Sequence, residues 1–247
     1  VLSRDGYTCG AVGKWDMGQA KRYLPLQRGF QFFYGHGNNG IDYYTHERYG
    51  VPSMFSGNVR TDEDKGRYAT ELFKRKALGF VTGHAAQPFF LYLCFNAPHS
   101  ASAFGPDRKE GEGKEGVGVQ APDEYVSMYH DTLKNEKLAR YYGAVTCMDD
   151  AIGELMGSLK EHGLDRNTLV LFLSDNGGSG NGGNAPLRGQ KSTMWEGGLR
   201  VPFIAWWPGH LPAGKVTDEF LTSLELLPMI SAATGAKPLP EVKLDGF

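Results

Sequence analysis

Short apolar runs alternate with longer amphipathic stretches along this chain. Phe89 to Phe95 (FFLYLCF) is wholly apolar, which predicts a strand buried on both faces. Thr168 to Leu173 (TLVLFL) predicts a second buried strand, and Val201 to Trp207 (VPFIAWW) a third. Before the first strand, Asp64 to Val81 places Tyr68, Leu72, Phe73, Leu78 and Val81 at near-helical spacing, bounded by Gly83. Lys134 to His162 predicts a long helix. Its stripe reads Leu138, Tyr141, Tyr142, Val145, Met148, Ile152, Leu155, Met156 and Leu159, and Gly163 is its stop. Leu224 to Ala233 predicts a short helix, and Asn96 to Gln120 a long polar loop. Strands alternating with helices point to an α/β domain with a largely parallel sheet.

Sites in such folds form where loops leave the carboxyl ends of strands. That directs attention to Asn96-Ala97-Pro98-His99 after the first apolar strand and Ser174-Asp175-Asn176-Gly177-Gly178 after the second. Asp175 and Asn176 offer hard oxygen ligands for Ca²⁺ or Mg²⁺, although Asp-Asn-Gly-Gly is also good turn chemistry. His99 can serve as a general acid or a ligand, since its ordinary pKa lies near neutrality; a structural histidine is the plainer alternative. Lys14 and Asp16 flank Trp15. In an extended segment they face the same way, as an ion pair or as a cation and a carboxylate sharing a site.

Composition narrows the function. Lys and Arg number 26 against 28 Asp and Glu, a net charge of −2 that argues against nucleic-acid binding. The apolar runs are shorter than the ~20 residues of a membrane span, and the start at Val1 shows no signal-peptide pattern. Cys9, Cys94 and Cys147 form no CxxC pair, which disfavours a zinc cluster or a disulfide framework. Glycine is in excess, at 34 of 247 residues, and eight of the 34 fall between Gly177 and Gly198. Arg188, Lys191, Glu196 and Arg200 lie in the same stretch. That mixture suits either a backbone wrapped around an anion, with Lys191 as the charge, or a solvated loop.

In this order the segments resemble the type I sulfatase family of the alkaline-phosphatase-like superfamily. The matching pieces are Gly6-Tyr7-Thr8-Cys9-Gly10 running into GKWDMG, Ala97-Pro98-His99, LVLFLSDNGG, LRGQKSTMWEGGLRVPFIAWWPG, and TSLELLPMISAATG followed by LDGF. The resemblance implies an α/β/α sandwich with a largely parallel central sheet, incomplete at both ends. It further implies one partial N-terminal-type catalytic domain over residues 1–247, with a C-terminal subdomain absent or only begun near 240–247.

The implied chemistry is sulfuric ester hydrolysis on a sulfated carbohydrate or aryl sulfate. In that family a formylglycine hydrate attacks sulfur, a histidine protonates the leaving oxygen, and calcium with two lysines holds the sulfate. Carried over, Asp175 and Asn176 become metal ligands, for Ca²⁺ or Mg²⁺. Lys14 and Lys191 become sulfate-binding catalytic lysines, and His99 becomes the general acid, also in contact with substrate. Asp16 stands where the family usually holds a histidine that assists collapse of the intermediate. The nucleophile motif Cys/Ser-x-Pro/Ala-x-Arg does not occur. The resemblance therefore places formylglycine, and the machinery that generates it, with an upstream segment, and implies that these 247 residues alone are inactive. A phosphate or phosphonate ester hydrolase of the same superfamily and a non-catalytic sulfatase-like binding protein are the alternatives. Members of the family are usually secreted, periplasmic or lysosomal.

Overall fold

The computed structural model describes residues 1–104, 117–238, 240, 241 and 243–246. Much of the predicted Asn96–Gln120 loop, and Phe247 of the LDGF segment, lie outside the described residues. The chain runs β1 (Thr8–Lys14), β2 (Phe32–His36), β3 (Glu47–Arg48), β4 (Val51–Pro52), β5 (Met54–Ser56), β6 (Val59–Arg60), α1 (Ala69–Gly83), β7 (Phe89–Cys94), α2 (Asp123–Leu133), α3 (Glu136–Glu161), β8 (Val170–Leu173), α4 (Glu196–Leu199), β9 (Phe203–Trp206) and α5 (Leu226–Thr234).

The central sheet has the order β6-β5-β2-β1-β7. β1 lies between β2 and β7, parallel to both, while β5 and β6 add antiparallel strands at one edge. Alternate residues serve opposite faces. Val12, Tyr34 and Met54 join the larger core with Leu72 and Phe73 of α1, whereas Ala11, Phe33 and Phe55 join Leu24 in a second cluster. All three parallel strands end together, so Lys14, His36 and Cys94 lie along one edge: Lys14 pairs in register with His36, and Gly13 with Cys94.

Two expectations change. The long helix buries Ala139, Gly143, Ala144, Cys147 and Ala151 rather than most of its large apolar residues; of the expected stripe only Leu159 is buried, and Tyr142 is exposed. Small residues let neighbouring helices approach. A Cβ on Gly143 would stand 3.0 Å from the Val126 backbone nitrogen of α2, a helix the sequence pattern did not predict. Nor is any of the three apolar strands buried on both faces: β7 is an edge strand with Tyr92 exposed, and β8 and β9 are less covered still. They pair antiparallel in a sheet of their own, and Phe172, Leu173, Phe203 and Ile204 are exposed because no described layer covers them.

Candidate active site

β1 delivers Lys14 to the carboxyl edge of the sheet. Trp15 then anchors the chain as it leaves the strand. Its amide donates to the His36 carbonyl (2.9 Å), and its indole N–H donates to the Tyr23 carbonyl (2.7 Å). The Trp15 ring meets Phe30 and Tyr92 edge-on. With Trp15 held, Asp16 turns into the left-handed region at φ 54°. Lys14 and Asp16 make no ion pair with each other. Lys14 Nζ instead stands 3.9 Å from Asp175 Oδ2. At that length, with the Asp175 side chain 71% exposed, the contact adds little stability and leaves the ammonium available to an anion. Asp16 lines a neighbouring cavity with Gln19, Asn38 and Arg48.

His99 follows β7 on a segment held from two sides. The Tyr43 hydroxyl donates to the His99 carbonyl (2.8 Å), and the Ser102 amide donates to the Ile41 carbonyl (3.1 Å). The His99 ring makes a 2.7 Å hydrogen bond from Nδ1 to the Ser100 carbonyl. A carbonyl only accepts, so Nδ1 carries the hydrogen and Nε2 is the nitrogen that can take or give a proton. His99 is half-buried, and Gly40 packs beside it: a Cβ there would lie 3.5 Å from Nδ1.

β8 delivers Asp175 and Asn176. The glycine-rich stretch then folds backbone on backbone. The Gly177 amide donates to the Gly198 carbonyl (3.0 Å), and the Lys191 amide to the Gly178 carbonyl (3.0 Å). A Cβ on Gly177 would fall 1.8 Å from the Gly197 carbonyl oxygen, and one on Gly198 would fall 2.4 Å from that of Thr193. The glycines here allow close chain packing, which corrects the picture of a solvated loop. Their knot ties Lys191 beside the Asp175 loop through the backbone, with its side chain half-buried.

The structure thus brings Lys14 and Asp175 together, with His99 on the adjoining strand end, and joins Lys191 to them through the main chain. Two neighbours escaped the sequence pattern. Cys94 ends β7, where burial pushes its thiol up to about 11 despite a hydrogen bond with Tyr92 and the nearby Lys14. His36 is fully buried, with the Asn38 backbone beside its ring. Only strand pairing places it beside Lys14, so no local motif could reveal it.

For a metal, Asp175 and Asn176 form a partial set. Calcium takes six to eight oxygen ligands, and among the described residues no group of three or more His, Cys, Asp or Glu could hold an ion. No cysteine offers a nucleophile either: Cys9 and Cys147 are buried, and burial raises all three thiols.

Comparisons with known proteins identify the family. Residues 1–236 match the Sulfatase family. Arylsulfatase J of Mus musculus is 30% identical over 256 residues, covering 100% of this chain and 40% of that protein. N-acetylgalactosamine-6-sulfatase of Rattus norvegicus is 31% identical over 268 residues, covering 100% of this chain and 46% of that protein. The crystal structure of Ps i-CgsB in complex with k-i-k-neocarrahexaose superposes with a TM-score of 0.85 at 33% identity, covering 99% of this chain and 54% of that one. The chain spans less than half the length of these two curated relatives. Its match to the family pattern nevertheless extends over most of its own length, and the chain belongs to the sulfatase family.

Proposed function

We propose that the protein carrying this chain hydrolyses sulfate esters of carbohydrates or aryl alcohols, with Lys14, Lys191 and His99 as its catalytic groups. The observation that carries this reading is the meeting of Lys14 and Asp175 at 3.9 Å across separate strand ends, with His99 just past the end of β7, the strand paired with β1. The relatives add support: two are named sulfatases, and the solved relative holds a neocarrahexaose.

A sulfate ester carries its charge on oxygens, and that charge shifts toward the leaving oxygen as the S–O bond breaks. Lys14 offers one cation at the end of β1, and Lys191 a second from the glycine knot. His99 holds its Nδ1 hydrogen on Ser100, so protonated Nε2 can deliver a proton to the departing alcohol. Asp175 and Asn176 are the chain's contribution to a divalent cation site, Ca²⁺ foremost and Mg²⁺ second. Asp16, two residues past Lys14, is the candidate acceptor of the proton handled by histidine in the sulfatase pattern. The attacking group, formylglycine by family precedent, is not supplied by these residues. Its installing machinery and a secreted, periplasmic or lysosomal location belong to the same proposal.

Sulfate release by the full reading frame tests the assignment. His99→Ala should lower turnover by about 10²–10⁴-fold and Lys191→Ala by about 10²–10³-fold. Unchanged rates in both variants would reject the site. Parallel phosphate and phosphonate aryl esters should turn over more slowly than the sulfate ester, and the reverse order would reassign the reaction.

A further inference from the structure

Just past the ends of β1 and β2 lies an open cavity of about 330 Å³, lined by Asp16, Gln19, Asn38, Asn39 and Arg48 with two glycines. Its polar lining and open mouth suit a hydroxyl-rich ligand that stays partly in solvent. Two of its glycine and asparagine positions, 37 and 38, come directly after His36, the register partner of Lys14. The cavity therefore begins within two residues of the strand ends that carry Lys14 and His36.

One wall is a fixed polar network. Arg60 Nη2 donates to Gln19 Oε1 (2.8 Å), Gln19 Nε2 donates to Asn38 Oδ1, Asn38 Nδ2 donates to Ser53 Oγ (2.5 Å), and Ser53 Oγ donates to the Val51 carbonyl (2.9 Å). Asn38 is buried with both ends of its carboxamide engaged, so it shapes the wall. A Cβ on Gly37 would come 2.9 Å from Gln19 Cγ, so a larger residue there would displace the Gln19 side chain.

The charges are not so engaged. Among the described residues, neither Asp16 nor Arg48 makes an ion pair, although both line this one cavity. Arg48 is nonetheless well placed. The Asp42 amide donates to the carbonyl of Glu47 (2.8 Å) on its one side, and the Tyr49 amide on its other side donates to the Ser102 carbonyl (2.7 Å). Its guanidinium carbon lies 5.7 Å from the Tyr49 ring centre. Arg48 is exposed, its backbone is fixed on both sides, and among the described residues its guanidinium makes no ion pair, so it presents a planar donor fork suited to a carboxylate or a sulfate.

We propose that this cavity holds the sugar of the ester and that Arg48 reads an additional anionic substituent, a carboxylate or second sulfate, on that sugar. The inference rests on the sulfate-ester reading above. The exposed Asn39 carboxamide and the Asp16 carboxylate line the same space and are placed to meet sugar hydroxyls.

The test compares kcat/KM of the full reading frame on a neutral hexose monosulfate, the matching disulfate and a uronic acid monosulfate. At least one anionic sugar should exceed the neutral one by about tenfold, and Arg48→Ala should bring that ratio close to one. Arg48→Lys, which keeps charge without the fork, should leave an intermediate ratio. Which ratio collapses identifies the carboxylate or the sulfate as the group read. A wild-type ratio near one, or an equal loss on all three sugars in Arg48→Ala, would overturn the inference while the sulfatase reading stands. No turnover of any sulfate ester would overturn both.

Discussion

His36 has no exposed surface, stacks on Phe73 at 6.1 Å, and faces Lys14, His46 and His99. Burial, reinforced by these neighbours and opposed by the Asn38 backbone, lowers its pKa from the ordinary 6.5 to about 3. In the unfolded chain the imidazole takes up a proton below 6.5, whereas the folded protein refuses it until about 3. The unfolded state therefore binds more protons in this window, and stability falls as pH drops through it. Between pH 6.5 and 5 the loss from this group is about 2 kcal/mol. His36→Phe should remove that component, so melting curves of the variant at the two pH values should converge relative to wild type. An unchanged difference would contradict the buried neutral imidazole. Lys14, His99 and Asp175 were legible because each lies next to or ends a segment with its own pattern. His36 beside Lys14 and Arg48 in the wall of the neighbouring cavity were not, because strand pairing and a loop contact, rather than spacing, set their places.

Strand ends explain why glycine rather than any apolar residue closes the sheet. Gly35, Gly13 and Cys94 sit side by side across β2, β1 and β7. A Cβ on Gly35 would lie 1.9 Å from the Gly13 carbonyl oxygen, and one on Gly13 would lie 1.9 Å from that of Cys94. Gly35→Ala must therefore push two backbones apart beneath Lys14, and should cost about 3 kcal/mol or more in chemical denaturation. Gly79 in α1 is the contrast, since a Cβ there meets nothing within 4 Å. Gly79→Ala should stabilise by up to about 1 kcal/mol; a loss there would show that helix propensity is not what the position lacks. The same glycines explain an asymmetry in what the pattern revealed. β7 and β8 stood out as apolar runs, but TCGAVGK carries too few large side chains to announce the central strand. The long helix was legible as a helix, while its packing face was not, because its Ala and Gly bury more completely than the larger apolar residues of the predicted stripe.

At the scale of the molecule, apolar surface is unevenly covered. The five-stranded sheet is lined on both faces, with α1 packed over β1, β2 and β7 and α3 against α1. β7 forms one edge of that sheet, and Tyr92 on it is exposed. The β8–β9 pair stands as a separate two-stranded sheet presenting Phe172, Leu173, Phe203 and Ile204, the last 57% exposed. Two-stranded sheets are marginal alone, and clustered apolar side chains beside an open strand edge favour pairing with another chain. The 247-residue chain by itself should therefore associate as its concentration rises through the micromolar range, with light scattering reporting a growing mean mass. Ile204→Lys places a charge at the most exposed of the four positions and should shift the onset to higher concentration. A mass that stays monomeric at every concentration, or an onset unmoved by Ile204→Lys, would show that these strands are not what the chain leaves uncovered.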